Sequence, residues 1–324
     1  MFQKLSSLEK IAVKAEALID KIDALLPAPH LNNWHAIAYK WQKSDAGIFG
    51  VRHNLAPISS PHVIHLGDLY DIDEQKSRLV ANTKQFLAGL PANNVLLTGA
   101  RGTGKSSLVK ALLTEFGKKG LRMIEVERAD LINLPEIAAL VANRQEKFII
   151  FADDLSFDAF DAGYKALKSV LDGGLAAPAA NILVYATSNR RHLMPESMME
   201  NTEATHTADG EIHPGETTEE KISLSERFGL WLSFYPFDQD AYLAIARHWV
   251  TTLSTKTKKI NETHFRQEAL LWALERGGRS GRIAYQFARD YAGRTPVRNF
   301  AVNVKKVSAQ QRNRKPFSPL KKGS

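Results

Sequence analysis

The feature that most constrains this chain is the segment 99–106 (GARGTGKS), which fits the pattern G-x-x-x-x-G-K-[ST]. An apolar run, 94–98 (NVLLT), precedes it, and the stretch 104–116 that follows has apolar residues at helical spacing. Glycines let such a loop bend around a phosphate chain, and backbone N–H groups at a helix N-terminus attract phosphate oxygens. The segment therefore predicts an α/β fold in which a buried strand passes into a helix through a nucleoside triphosphate site.

Two side chains of this loop have specific predicted roles, and the other residues contribute backbone groups. We expect Lys105 to reach the β and γ phosphates and the Ser106 hydroxyl to ligate Mg²⁺. The predicted cofactors are therefore ATP and Mg²⁺. The predicted nucleotide-binding residues are Gly99, Ala100, Arg101, Gly102, Thr103, Gly104, Lys105, Ser106 and Ser107.

Short apolar runs alternate with amphipathic stretches through the middle of the chain. Such alternation is typical of βαβ units, whose parallel strands are buried by helices on both faces. We therefore predict a five-stranded parallel sheet, with ligands bound beyond the carboxyl ends of its strands. The predicted strands are 94–98, 121–126, 147–152, 181–187 and 230–234, and the first four are separated by predicted helices at 104–116, 133–143 and 164–172.

Acidic and amide side chains follow two of these runs. The run 148–152 ends in Asp153 and Asp154, and the run 181–187 is followed closely by Asn189. Downstream of a phosphate loop, Asp153 is expected to hold Mg²⁺ through water and Asp154 to polarise the attacking water. Asn189 could hold that water in line, although an asparagine at a strand end is by itself equally a turn residue.

The segment 1–65 is predicted to be helical. Pro27 and Pro29 end a first amphipathic pattern, and a second short helix is expected to hold Trp34, Ile37, Ala38 and Trp41. These helices either pack on their own domain or form an arm for a partner or for oligomerisation. The apolar residues of the first pattern, at a three–four spacing, are Leu5, Leu8, Ile11, Ala15, Leu18, Ile22 and Leu25.

The remaining segments complete a four-part organisation. The nucleotide-binding domain is predicted over 66–235 and contains an acidic, polar insertion at 194–222. Helical patterns at 238–254, 262–276 and 281–292 predict a helical lid over 236–293. A disordered tail is expected over 294–324, because it combines low hydrophobicity with unbroken positive charge.

Composition excludes several classes of protein. The 324 residues contain no cysteine, which excludes disulfides, iron–sulfur clusters and thiolate zinc sites. No stretch is apolar enough to span a membrane, and the N-terminus does not resemble a signal peptide, so we expect a cytoplasmic protein. His62 and His65 are the only histidines at an i, i+3 spacing, and the chain has no cysteine to join them, so a metal site there is not expected. After Asp290 come nine Lys and Arg residues and no acid, which places the net charge of +8 in the tail.

The order of these elements resembles that of AAA+ ATPases. It is most similar to a bacterial group described only as predicted AAA+ ATPases of unknown function, and the resemblance runs from about 65 to 293. The stretches that carry it are PANNVLLTGARGTGKSSLVKALL, FADDLSFD, YKALKSVLDGG, YATSNRRHLMPE, EIHPGE and KISLSERFGLWLSFYPF.

The resemblance implies roles for further residues. It implies a Walker A motif at 99–106, a Walker B motif at Asp153 and Asp154, and a sensor-1 residue at Asn189. Arg227 resembles an arginine finger that reaches the ATP of a neighbouring subunit, and a lid arginine is expected at Arg282, with Arg279 as the alternative. The adenine-contacting positions it implies are Leu69, Tyr70 and Ile72. One departure is Asp154, where the family usually has the longer glutamate, which would slow hydrolysis or require a shifted water.

These expectations describe an oligomeric ATPase that remodels or loads a macromolecular partner. Nucleic acid is one candidate partner, since the positive charges of the tail would neutralise phosphates. The alternative is a nucleotide-controlled adaptor with slow turnover. A small-molecule kinase would share the loop, but it would give no reason for Asn189, Arg227 and a helical lid to occur in this order.

Overall fold

The computed structural model describes residues 14–15, 34–45, 51–157, 161–172, 179–190, 205–206, 212–213, 224–254 and 260–294. The chain divides into two compact units. The first contains Ile72–Gly99, Lys105–Phe234 and the described residues up to Leu66. The second contains Gly67–Asp71, Ala100–Gly104 and the described residues from Tyr235 onward.

The first unit is built on a seven-stranded sheet with the order β2-β1-β4-β5-β6-β3-β9. Neighbouring strands are parallel, except that β1 and β2 form an antiparallel pair. Two further strands, β7 (Thr205–His206) and β8 (Ile212–His213), pair separately. The strands of the large sheet are β1 (Ala38–Asp45), β2 (Val51–Pro57), β3 (Val95–Gly99), β4 (Leu121–Val126), β5 (Lys147–Ala152), β6 (Ile182–Ser188) and β9 (Leu230–Phe234).

Helices cover both faces of this sheet. They are α1 (Asp73–Leu87), α2 (Lys105–Phe116), α3 (Leu134–Val141) and α4 (Ala162–Asp172). Helices α3 and α4 pack in one buried cluster with Ile150 and Val184 of the central strands. Successive strand residues point to opposite faces, so Tyr185 faces the other side, where its hydroxyl lies 3.0 Å from Asn82 Nδ2 and 3.0 Å from Thr83 Oγ1 of α1. Burial raises the pKa of Tyr185, which keeps this hydroxyl protonated.

The predicted fold class is confirmed, with two corrections. The parallel strands and the loop between β3 and α2 form the expected α/β P-loop architecture, but the sheet has seven strands within the described residues instead of five. The predicted helix around Trp34, Ile37, Ala38 and Trp41 is wrong, because Ala38–Asp45 is strand β1. Ala38 pairs with Met123 of β4, and the hairpin of β1 and β2 extends the sheet beyond that edge.

The period of burial explains why this segment is a strand. Tyr39 and Trp41 are buried in the core cluster, whereas Gln42 is exposed. This two-residue alternation is that of a strand. As a strand, β1 pairs with the backbone groups of β4, which a helix at this position would leave unpaired. The four apolar residues at a three–four spacing also fit a short helix, and this coincidence produced the wrong prediction.

From Gln239 onward, the described residues of the second unit form helices joined by short segments. Its helices are α5 (Gln239–Leu253), α6 (Glu262–Glu275) and α7 (281–294), close to the predicted bounds. Asp238 caps α5 by accepting from the N–H of Ala241 at 2.8 Å. The Tyr242 hydroxyl donates to the carbonyl of Ala269 at 3.0 Å, and burial raises the pKa of Tyr242 to about 12.

Several predicted features lie outside the described residues. They are the helix over 5–25 apart from Lys14 and Ala15, the insertion 194–222 apart from β7 and β8, and the tail beyond Arg294. Within the described residues, no helix has both the length and the apolar character needed to cross a bilayer.

Candidate active site

The phosphate loop begins at Gly99, the last residue of β3, where only glycine fits. Gly99 has φ +132°, and a Cβ built on it would lie 1.9 Å from the carbonyl oxygen of Phe234 on the neighbouring strand β9. The missing side chain thus lets two strand ends come together where the loop starts. The Gly99 carbonyl accepts a hydrogen bond from Lys105 Nζ at 2.7 Å.

Lys105, Asn189 and Asp154 form a connected polar chain in the first unit. Lys105 Nζ donates to Asn189 Oδ1 at 3.1 Å, and Asn189 Nδ2 donates to the carboxylate of Asp154. Lys105 is buried, so its charge is largely removed from solvent and acts more strongly on nearby groups. The structure therefore brings together the predicted phosphate-binding lysine, the predicted sensor and the predicted catalytic acid.

The predicted metal ligands are also adjacent. The Ser106 hydroxyl donates to Asp153 Oδ1 at 2.6 Å, which joins the start of α2 to the end of β5. A hydroxyl and a carboxylate are hard oxygen donors of the kind that Mg²⁺ prefers, and Mg²⁺ commonly keeps waters and substrate phosphates as its other ligands. Within the described residues, no group of three or more His, Cys, Asp or Glu side chains could hold a metal ion. The residues present therefore fit Mg²⁺ bound together with a triphosphate.

Thr187 is a residue of this site that the sequence did not identify. Its hydroxyl donates to Asp153 Oδ1 at 2.6 Å and accepts from the backbone N–H of Asp154 at 2.9 Å. The available signal was its position two residues before Asn189, which in an extended segment puts both side chains on one face. A threonine also has ordinary reasons to occur in a strand, so this signal was weak.

The middle of the loop, Ala100–Gly104, belongs to the second unit. Thr103 Oγ1 donates to the Ala100 carbonyl at 2.8 Å, and the Gly281 N–H donates to the Gly102 carbonyl at 2.8 Å. A Cβ built on Gly102 would lie 2.6 Å from Ser280 Cβ and 3.7 Å from Arg282 Cβ. The start of α7 thus packs against Gly102, and the choice of Arg282 or Arg279 as the lid arginine stays a prediction. The predicted loop residue Arg101 is exposed, and Ser107 on α2 is half-buried.

The predicted adenine positions fall into both units and are described separately. In the second unit, the Tyr70 hydroxyl lies 2.9 Å from Nδ1 of His248 on α5, and His248 Nε2 lies 3.1 Å from Asp68 Oδ1. Leu69 is half-buried in the same short segment. Ile72, in the first unit, is buried. No contact described here identifies a base, so the adenine assignment stays a prediction.

Arg227 lies in the segment before β9 and forms an ion pair. Its Nε donates to Oδ1 of Asp172, the last residue of α4, at 2.6 Å. The Arg227 side chain is 24% exposed, so the pair is partly accessible to solvent. The geometry orients the guanidinium, and the finger role stays a prediction.

Comparison with known families decides the membership of this chain. A family model described as "Protein of unknown function (DUF815)" matches residues 34–295. The chain belongs to this family. The predicted membership in a family of unknown function is confirmed, and the match covers the whole of the site described above.

This chain is similar to several solved structures. It is 16% identical to the FIGL-1 AAA domain in complex with ADP, with a TM-score of 0.48, covering 76% of this chain and 79% of that one. It is 16% identical to the Thermotoga maritima RuvB Holliday junction branch migration motor, with a TM-score of 0.46, covering 74% of this chain and 66% of that one. The curated proteins gave no match.

The close approach at Gly99 makes a prediction about stability. The substitution Gly99→Ala is expected to lower the free energy of unfolding by about 3 kcal/mol, because the new methyl group overlaps the Phe234 carbonyl and the ends of β3 and β9 must separate. Urea unfolding would measure this change. The control is Gly67→Ala, since a Cβ at Gly67 meets nothing within 4 Å. Equal unfolding midpoints for the two variants would contradict the close approach.

Proposed function

We propose that this DUF815 protein is a Mg²⁺-dependent ATPase that hydrolyses ATP as a homo-oligomer and uses the cycle to remodel or load a macromolecular partner. The observation that carries the proposal is one connected set of hydrogen bonds in the first unit. It joins Lys105 through Asn189 to Asp154, and Ser106 to Asp153, and the Thr187 hydroxyl links the two acids. Each of these residues except Thr187 matches a position where phosphoryl transfer needs its chemistry.

Binding of the triphosphate rests on the loop and Lys105. An ammonium group has three N–H donors, and in this structure it donates to Gly99 and to Asn189. A phosphate oxygen that replaces either acceptor would keep the lysine satisfied while gaining a charge-assisted hydrogen bond. Mg²⁺, held by Ser106 and through water by Asp153, would neutralise charge that develops on the phosphate oxygens.

Hydrolysis rests on Asp154 and Asn189. The Asp154 carboxylate would accept a proton from the attacking water, and Asn189, bonded to both Lys105 and Asp154, would hold that water beside the γ phosphate. Catalysis of this kind combines positioning with charge stabilisation. The Asp154 side chain is one methylene shorter than that of glutamate. The orientation of its carboxylate therefore depends strongly on the backbone conformation of Asp154 and on the contact with Asn189.

The oligomer rests on Arg227. In the proposed assembly, this side chain completes the site of a neighbouring copy and stabilises transition-state charge, as arginine fingers do. A guanidinium carries five N–H donors, so being held by Asp172 is compatible with a second acceptor. Asp172 then has the role of orienting the finger.

A nucleotide-controlled adaptor is the second candidate, and one observation favours it. The predicted catalytic acid is an aspartate that is already engaged by Asn189, which would slow turnover relative to a free glutamate. In the adaptor, ATP binding sets a conformation and hydrolysis resets it. The rate of turnover in the presence of partner separates the two candidates.

Nucleotide binding is tested by Lys105→Ala. This variant is expected to bind Mg-ATP at least about a hundredfold more weakly, because a buried charge-assisted contact to phosphate is lost. Isothermal calorimetry would measure the affinity. The matched control is Lys119→Ala, which removes an exposed charge paired with Glu115. Unchanged affinity in Lys105→Ala would show that the loop does not bind the triphosphate.

The finger is tested by Arg227→Ala. We expect kcat to fall about a thousandfold while the affinity for ATP stays within a few-fold of the wild type, because a finger acts on the transition state. The control is Asp172→Ala, which removes only the orienting partner and should cost about tenfold or less.

Mixing variants shows whether Arg227 acts on another copy. Subunits with Arg227→Ala keep an intact loop, and subunits with Lys105→Ala keep an intact arginine. A mixture of the two should regain part of the ATPase activity that each lacks alone. No recovery in mixed oligomers, or a full rate in Arg227→Ala alone, would remove the finger role.

The partner is tested through the tail. Of the nine positive charges after Asp290, Arg294 pairs with Glu268 and Asp290, and the other eight lie in 295–324. If nucleic acid is the partner, DNA or RNA should raise the ATPase rate several-fold in a salt-dependent manner. Truncation after Arg294 should abolish this stimulation and leave the basal rate unchanged. Slow turnover that no nucleic acid stimulates would favour the adaptor.

A further inference from the structure

The backbone at Asp154 adopts a conformation that residues other than glycine rarely adopt. Its φ is +55°, and the only other described non-glycine residue with positive φ is Asp71. For a residue with a Cβ, this left-handed region is less favourable than the right-handed one. Such a conformation persists only where surrounding contacts enforce it. The contacts that enforce this conformation at Asp154 therefore help to orient its carboxylate, the predicted catalytic group.

Most of those contacts come from Thr187. Its hydroxyl accepts from the Asp154 N–H at 2.9 Å and donates to Asp153 Oδ1 at 2.6 Å. Its backbone carbonyl accepts from the Leu155 N–H at 2.7 Å. Thr187 is only 1% exposed, so water cannot easily take over these roles. One residue thus binds three consecutive residues at the end of β5.

The neighbouring residue reinforces the turn but does not reach either carboxylate. Ser188 Oγ donates to the Leu155 carbonyl at 2.8 Å and accepts from the Arg190 N–H at 3.1 Å. These bonds hold the backbone after the two acids. Of these two neighbouring residues, only Thr187 bonds to the acids, at Asp153 Oδ1 and at the Asp154 N–H.

We propose that Thr187 is the positioning residue for the pair Asp153 and Asp154. A hydroxyl can donate one hydrogen bond while it accepts others, and here the donated bond orients the metal-ligand carboxylate while an accepted bond stabilises the left-handed turn that aims Asp154. Asp153 Oδ1 receives bonds from both Ser106 and Thr187, which fixes the plane of its carboxylate. This inference rests on the proposed ATPase function, because it assigns Thr187 a part in the same reaction.

The shape of threonine offers a sharp pair of variants. Thr187→Val has nearly the same shape and suits a strand, but it loses both hydroxyl bonds. Thr187→Ser keeps the hydroxyl and loses only a methyl group. If the hydroxyl positions the acids, valine should impair the site and serine should restore it. If the residue acts only by packing, serine should be the more harmful of the two.

The experiment measures steady-state ATP hydrolysis and amide hydrogen exchange on the full chain. In Thr187→Val, we expect kcat to fall roughly tenfold to a hundredfold, because small displacements of catalytic groups are costly, while KM for ATP stays within about twofold. The Asp154 amide should exchange roughly tenfold faster, since it loses its acceptor. In Thr187→Ser, both quantities should stay within about threefold of the wild type.

A buried threonine away from the site provides the control. Thr83 on α1 is fully buried and bonds to Tyr185 and to the Leu79 carbonyl. Thr83→Val removes a comparable hydroxyl and should change neither kcat nor exchange at Asp154. The positioning role is overturned if Thr187→Val behaves as the wild type in both measurements, or if Thr187→Ser fails to restore them.

Failure of the proposed function is distinguishable from failure of this inference. If the wild-type chain binds no ATP or hydrolyses none, the ATPase proposal fails, and the exchange rates then decide whether Thr187 holds the turn. If the wild type hydrolyses ATP and Thr187→Val does so at the same rate, the ATPase proposal stands and the positioning role falls.

Discussion

The site depends on which strands are neighbours in the sheet. Strand β6 lies between β3 and β5, with Thr98 of β3 opposite Ser188 and Ala152 of β5 opposite Ala186. Because these strands are parallel, their carboxyl ends meet at one edge. The loop that follows β3, the acids that follow β5 and the amide that follows β6 must therefore converge. Residues separated by 84 positions in the chain, Lys105 and Asn189, are brought to hydrogen-bond distance by backbone pairing alone.

Much of this arrangement could be predicted from the sequence. The five predicted strands are short and mostly apolar, because most of their residues are buried, and such runs are recognisable in a single sequence. The loop is recognisable because few segments combine its glycines, lysine and serine at the required spacing. Once the loop and the strand order are given, Asp153, Asp154 and Asn189 follow from their positions after strands.

What could not be predicted depends on contacts between distant segments. The spacing of Trp34, Ile37, Ala38 and Trp41 fits a helix as well as a strand over so short a stretch, and only the pairing with β4 decides between them. The role of Thr187 depends on two hydrogen bonds of its hydroxyl to the residues that follow β5. The sequence around Thr187 does not predict these bonds. The contact of Gly102 with Ser280 and Gly281 joins residues some 180 positions apart, so no local pattern could predict it.

The hairpin of β1 and β2 has a consequence for any fragment of this protein. A fragment designed around the recognisable loop would naturally start near Pro61, and it would lack both strands. The backbone groups of Met123 and Glu125, now matched by Ala38 and Lys40, would then form an open sheet margin. Open margins of this kind recruit strands from other molecules. Self-association of such a fragment would reflect the missing hairpin and would say nothing about the assembly state of the intact chain.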